Sequence, residues 1–522
     1  MDSAPVPIIP NRGIGWITLG VSVHDILTRL KANPQLYPTI DVSYSASQPI
    51  AAPIIINLPR NGLRLRFDGP DQRLRLIEVL DFTKTKLSYN DSEIVKVQDN
   101  SGELYGPGSA CGPSYRGVYK LWGPANAPEY IPPAVWSEEA KGIYVLSYPG
   151  IAFMFPLQAS AWSEHKDWAS LISSSAASPA SSLAVFHGES WPEARTDLFT
   201  NEPPNPRSLA LTSRAKDGRP DEIETAKIHG EGRIELVRRT SPPLWIILSE
   251  TTPQDLVTEL GPPDAIYRKN DRRLSIYNNR GNGRSNGVSP SPSRLGDYTD
   301  TESSSHTETD ESQSDDEDSG PGHDDRETRS AECFYNYFHH GFDVFISQPK
   351  AISPPSPTMQ RQDPMDEANP SQEVQATNHL TATKIIFHAN IPGSYPFNRH
   401  RRSRWTLEHV PSEQYKDPLN SEMRFRDIQG RLKEVFKTTY ANEDEERSQQ
   451  RPMVLNRGWG DSPGSSCELL GGWEESVGGK KKDSEDVATM GEQSLGNTEL
   501  YGFPGMVFEV LKNDAVSCLT VF

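Results

Sequence analysis

Few residues in this 522-residue sequence stand at spacings that chemistry needs. His339 and His340 adjoin just before Gly341, with Asp343 the nearest carboxylate. A metal centre requires three or four converging ligands, and neighbouring histidines in a turn splay apart. The spacing therefore favours two turn residues at a strand end. Asp68 and Asp71 flank Gly69 and Pro70, where they suit a turn; paired-carboxylate catalysis would need distant acids to converge. The four cysteines, Cys111, Cys333, Cys467 and Cys518, form no CxxC pair, and none has a histidine at ligand-like spacing. Neither a zinc site nor a disulfide framework is expected, and a reducing compartment is the natural reading.

The common catalytic signatures HExxH, GxSxG and the EF-hand loop are absent. Lys480–Lys482 follow Gly478 and Gly479, but Glu474 occupies the position of a leading P-loop glycine, and no Ser or Thr follows the lysine. Gly281-Asn282-Gly283 leads into Ser, Pro and Arg rather than opening a helix after a strand, so dinucleotide binding is not indicated. No catalytic, cofactor or metal residues emerge, and a non-enzymatic protein is expected.

One basic cluster has aromatic neighbours: Phe397-Asn398-Arg399-His400-Arg401-Arg402-Ser403-Arg404-Trp405. Arg399, Arg401, Arg402 and Arg404 suit phosphate geometry and could grip phosphoinositide headgroups or an acidic partner. A solvated strand end, or an internal partner for the acidic tract Asp315–Asp318, is the alternative. Ser312 and Ser314, set before Asp315-Asp316-Glu317-Asp318, have the surroundings of acidophilic-kinase substrates, and phosphate there would deepen the charge of a solvated linker.

The elements that carry these residues follow from glycine placement and apolar period. A β-rich run, a turn ending in glycine and a second run recur four times: Ile54–Phe67, Ile143–Phe155, Cys333–Ile346 and Thr498–Val510. The turn glycines are Gly62, Gly150, Gly341 and Gly505, where a tight hairpin needs positive φ. Alternation such as Leu63, Leu65, Phe67 puts one face of each hairpin on a core. Ser22 with Asp25, and Thr252 with Asp255, have capping-box spacing ahead of Ile26, Leu27, Leu30 and of Leu256, Val257, Leu260. Gly261 with Pro262 and Pro263 ends the second helix, and Phe425, Ile428 and Leu432 mark a third. Strands are also expected at Leu74–Val79, Lys384–His388 and Val516–Val521.

The fold class is thus α+β: repeated units of a short helix and an antiparallel β-meander forming a β-rich body, interrupted by long disordered insertions. Those insertions are Ala159–Ser182, Arg280–Ser330, Pro349–His379 and Gly458–Gly496. The expected layout is 12–158 as N-terminal unit or units, 159–182 as linker, 183–395 as central unit and 396–522 as C-terminal unit. Only 35% of residues are hydrophobic and mean hydropathy is −0.63, in keeping with a smaller body and much solvated chain. Of the net charge of −18, Asp297–Arg329 carries −11, with thirteen acids against two arginines. That acidity argues against nucleic acid. The N-terminus lacks a basic and apolar leader, Asp2 stands where myristoylation needs glycine, and no apolar run reaches spanning length. Membrane contact is expected to be peripheral.

Several strings together resemble the phagosome assembly factor family: VHDILTRL, IIINLPRNGLRLRFD, QRLRLIEVLDFTKTKLSY, YPGIAFMFP, YNYFHHGFDVFI, HANIPGSYPFN, RPMVLNR and GMVFEVLKN, in order along the chain. The long acidic and Pro-rich inserts and Asp91–Gly112 depart from the pattern. The resemblance implies a cytoplasmic adaptor in autophagy, recruited to the phagophore assembly site in complex with a WD-repeat protein that recognises phosphoinositides. Older labels for the family imply Golgi-to-plasma-membrane traffic instead. It implies no catalytic residues.

Overall fold

Each of the four glycine-centred runs folds as an antiparallel hairpin, and its glycine adopts positive φ: 67° at Gly62, 77° at Gly150, 90° at Gly341 and 73° at Gly505. Gly150 shows why no side chain serves there, since a Cβ would lie 2.0 Å from the Asn11 nitrogen. The period of two becomes burial: in Leu63–Phe67 the leucines and phenylalanine face the core, while Arg64 and Arg66 lie half-buried on the other side. There Arg66 Nε donates to Glu78 Oε2 at 2.8 Å on the neighbouring strand, a cross-strand pair of the kind that stabilises sheets.

The computed structural model describes residues 4–95, 112–126, 129–133, 141–159, 162, 178–200, 222–268, 332–349, 379–410, 418–456, 488–489 and 497–522. The insertion expected at Arg280–Ser330, with Ser312, Ser314 and the acidic tract, lies outside the described residues, as do most of Ala159–Ser182, Pro349–His379 and Gly458–Gly496. Met1–Tyr267 and Cys333–Phe522 make one compact unit.

In that unit the chain is β-rich, as expected. Nine strands form one sheet, in the order Glu129–Ile131, Lys141–Tyr148, Ile151–Gln158, Ser182–Val185, Leu74–Val79, Leu63–Phe67, Ile54–Leu58, Asp41–Tyr44, Ala488–Thr489. Eight form another: Ala265–Arg268, Cys333–Tyr337, Phe342–Ser347, Thr381–His388, Val516–Val521, Met506–Leu511, Asn497–Phe503, Met453–Asn456. Two five-stranded sheets complete the set among the described residues; one sets Trp405–Leu407 parallel beside Ile223–Gly230. Strands before and after residue 396 are hydrogen-bonded together, as Thr381–His388 is with Val516–Val521. Two large apolar cores result among the described residues, one gathering residues from Ile8 to Val185 with Phe397, the other residues from Ile223 to Val521, with two smaller clusters around Ile391 and Phe186.

The capped helices form as expected, with one difference. At Pro253–Leu260 both bonds of the capping box are made: Asp255 N–H donates to Thr252 Oγ1 at 3.2 Å, and Thr252 N–H to Asp255 Oδ2 at 3.0 Å. At Val23–Lys31 the Ser22 hydroxyl accepts from Asp25 N–H at 3.1 Å, but the Asp25 carboxylate turns away to His339 instead. The helix Phe425–Phe436 buries Phe425, Ile428 and Leu432. Tyr115–Trp122, Trp191–Thr196 and Glu443–Gln449 are further helices that the sequence reading did not place.

Candidate functional site

The arginine cluster sits in the connection from Thr381–His388 to Trp405–Leu407, and most of it points inward. Arg401 is 5% exposed and donates to the carbonyls of Ile223 at 2.8 Å and His339 at 3.4 Å. Arg402, 4% exposed, donates to the carbonyls of Pro70 (2.6 Å), Ala389 (2.9 Å) and Ser421 (3.3 Å). Burial lowers both guanidinium groups to about 10, and both remain charged at neutral pH. Arg404 is partly exposed and doubly paired, 2.6 Å from Asp71 and 2.5 Å from Glu422. Arg399 is exposed. The four arginines therefore do not share one exposed face. Buried loop carbonyls need donors, and a guanidinium with five N–H groups supplies several at once.

These side chains belong to a polar seam joining the two cores. Arg73 Nη2 meets Glu222 Oε2 at 2.9 Å, both buried. The Asn390 side chain donates to Gln72 Oε1 at 2.8 Å, and Gln72 Nε2 returns a 2.8 Å bond to the Asn390 carbonyl. The turn expected at Asp68–Asp71 forms with Asp68 Oδ1 accepting from Asp71 N–H at 2.6 Å, while Asp68 Oδ2 takes Arg75 Nε at 2.6 Å.

Two carboxylates in this polar interior each lie between two imidazoles. Asp343 uses both oxygens, at 2.9 Å from His388 Nε2 and 2.8 Å from His400 Nε2, and the two rings stack with centroids 3.7 Å apart. Cys518, the cross-strand partner of His388, places Sγ 3.3 Å from His388 Nδ1. Thiol, imidazole and carboxylate stand in the order of nucleophile, base and orienting acid. Cys518 is only 8% exposed, however, on a strand paired on both sides. Burial would lower His388, but Cys518 and Asp343 outweigh it and raise it to about 10. Burial would raise the Asp343 carboxyl, but the two imidazoles hold it well below the usual range.

The second group joins helix to hairpin. His339 Nδ1 lies 3.1 Å from Asp25 Oδ1, and His24 Nδ1 lies 3.7 Å from the same oxygen. His339 and His340 do splay apart: His340 is buried against the Tyr337 and Phe342 rings and is lowered to about 3, by burial first and then by the Arg401 charge. What the sequence reading missed is the partner of His339. It comes from Asp25, 314 residues upstream, and the proximity of Cys518 to His388 was equally hidden by a separation of 130 residues.

On the outside, large apolar side chains concentrate at sheet edges. Met453 is 59% and Val454 60% exposed on the edge strand Met453–Asn456; Ile266 and Tyr267 are exposed at the opposite edge of that sheet, and Trp245 at the edge strand Leu244–Ile247. No helix among the described residues is long and apolar enough to cross a membrane.

The sequence pattern named phagosome assembly factor 1 matches residues 13–291 and 374–522, most of the chain. The chain belongs to the phagosome assembly factor 1 family. A PHAF1 protein of Drosophila melanogaster is 22% identical over 99% of this chain and 93% of its own length. A PHAF1 protein of Arabidopsis thaliana is 30% identical over 30% of this chain, and one of Caenorhabditis elegans 28% identical over 28%. Those two matches span only 34% and 32% of the relatives' own lengths. No solved structure matches the chain. Membership supports a role in phagosome assembly.

Proposed function

We propose that this protein is a non-enzymatic adaptor in autophagy, which docks a protein partner on the open edge strand Met453–Asn456 of its eight-stranded sheet. The observation that carries this reading is the exposure of both Met453 and Val454. Successive residues of a strand face opposite sides of the sheet, so neither face of this strand's start is covered. Its outer edge has no neighbouring strand among the described residues. An apolar, unguarded edge is a hazard in a protein that works alone, and it is the surface that β-augmentation uses. The partner named by the family resemblance is a WD-repeat protein with affinity for phosphoinositides, and a propeller of short β-blades offers complementary strand edges. In this reading the partner, rather than this chain, supplies the grip on the membrane at the phagophore assembly site. Direct headgroup binding draws less support, because Arg399 alone of the four arginines is both exposed and outside the ion pairs of Arg404.

Affinity purification of the full chain from fed and starved cells tests this. The expected result is a co-purifying WD-repeat protein that the Val454→Lys variant no longer recovers. Golgi coat or tether proteins in its place, or no partner at all, would overturn the reading.

A further inference from the structure

We propose that His24, Asp25 and His339 form a structural site for a zinc-class divalent ion, clipping the start of the helix Val23–Lys31 to the turn between Cys333–Tyr337 and Phe342–Ser347. One donor atom from each of these residues lies within 4.8 Å of the other two. Metal–ligand bonds of about 2.0–2.2 Å in a tetrahedral site put donor atoms about 3.4 Å apart. The separations from Asp25 Oδ1, 3.1 Å to His339 Nδ1 and 3.7 Å to His24 Nδ1, bracket that edge. The rings of His24 and His339 meet edge to face at 78°, so their nitrogens can address one point without stacking.

A proton is the competing occupant, as an imidazolium of His339 between Asp25 and Asp264, but it leaves an unpaid polar balance. His24 is 4% exposed and its Nδ1 stands 3.7 Å from Asp25 Oδ1, too far for a good hydrogen bond, while Asp25 Oδ2 is buried without a hydrogen-bond partner. A proton on His339 or on His24 Nδ1 faces Asp25 Oδ1 and leaves Oδ2 without a partner, and buried polar atoms without partners are costly and rare. An ion bound to His24 Nδ1, His339 Nδ1 and the Asp25 carboxylate, with water as the fourth ligand of the tetrahedron, satisfies all three residues together. Asp264 then takes the outer position common beside zinc-bound histidine, with Oδ1 4.0 Å from His339 Nε2 and Oδ2 accepting from the His339 backbone N–H at 3.2 Å. Asp25, Asp71, Glu222 and Asp264 are the acids of this region, with Arg73, Arg401 and, on Asp71, Arg404 as the cations. A divalent ion therefore enters a region where the acids outnumber the cations. Imidazole and carboxylate donors suit zinc and its neighbours, and the depth of the site suits a structural role.

The test is titration of the chelator-treated full chain with cobalt(II) and with zinc. The account expects one ion per chain, displaced by zinc, with visible four-coordinate cobalt bands and no thiolate-to-cobalt charge-transfer band. His24→Ala and His339→Ala should each weaken binding by at least about 100-fold, because loss of an outer-shell partner alone costs about 10–100-fold. His187→Ala, at an exposed histidine, and His400→Ala, in the other imidazole group, should bind as the parent does. Absence of visible bands, a charge-transfer band that assigns the ion to a cysteine, or unchanged binding by His339→Ala would overturn the proposal. Should the alanine variants fail to fold, His339→Gln replaces them, and cobalt bands that it leaves unchanged overturn the proposal.

Discussion

The polar seam and the strand Met453–Asn456 invert the usual placement of side chains in opposite ways. In the seam, Arg73, Glu222, Arg401 and Arg402 are charged and buried; at the edge strand, Met453 and Val454 are apolar and exposed. The seam's guanidinium groups are occupied by internal acceptors, some more than 300 residues away in sequence, as with Arg402 to Pro70 and Arg404 to Asp71. The edge strand has unused capacity for a partner. Buried charge in this protein therefore holds one arrangement of two cores, and exposed apolar surface is where association is expected. A basic cluster in sequence is no guide to a basic surface when its donors are needed inside.

The sharpest way to break this contrast is at Glu222. Glu222→Ala leaves Arg73 buried without its carboxylate and should cost about 3–5 kcal/mol, read as a lowered urea midpoint. A cost under about 1 kcal/mol would mean that the seam does not hold the cores together. Next in size, saturating zinc should stabilise the chelator-treated chain by about 2.7 kcal/mol at a hundred times its dissociation constant. His24→Ala should show no such gain in thermal unfolding.

A pH-dependent effect follows from the Asp343 group, in which each carboxylate oxygen is hydrogen-bonded to one imidazole. His388 is raised to about 10 from an ordinary value of about 6.5. Its contribution to stability is thus full below about pH 6.5 and is lost as pH climbs towards 10. Denaturant midpoints should fall over that range, and His388→Gln should flatten the decline. Smallest of all are the outer substitutions: Val454→Lys and Arg399→Glu should each change stability by no more than about 0.5 kcal/mol, as measured by equilibrium unfolding.

Local signals made much of the fold legible. Gly62, Gly150, Gly341 and Gly505 announce turns because positive φ is a property of one residue, and Thr252 with Asp255 announces a cap because both bonds close within four positions. The helix Tyr115–Trp122 was missed: its Ser114 cap lacks an acid three residues on, where Gly117 stands. The site was far less legible. Asp25 reads as a capping acid until His339 reaches it from a hairpin 314 residues later, and Arg401 and Arg402 read as surface charge until the carbonyls of Ile223 and Pro70 are brought beside them. Such pairings are set by the packing of whole sheets, which no local window contains. Exposure of Met453 and Val454 was hidden for the same reason, since an apolar alternation looks alike on an inner strand and an outer one.

The claim that association uses the apolar edge rather than the arginine cluster is tested most directly by quantifying partner recovery from cells expressing Val454→Lys or Arg399→Glu at equal abundance. The account predicts that Val454→Lys loses the WD-repeat partner while Arg399→Glu retains it at the parent level. Retention by Val454→Lys together with loss by Arg399→Glu would contradict it.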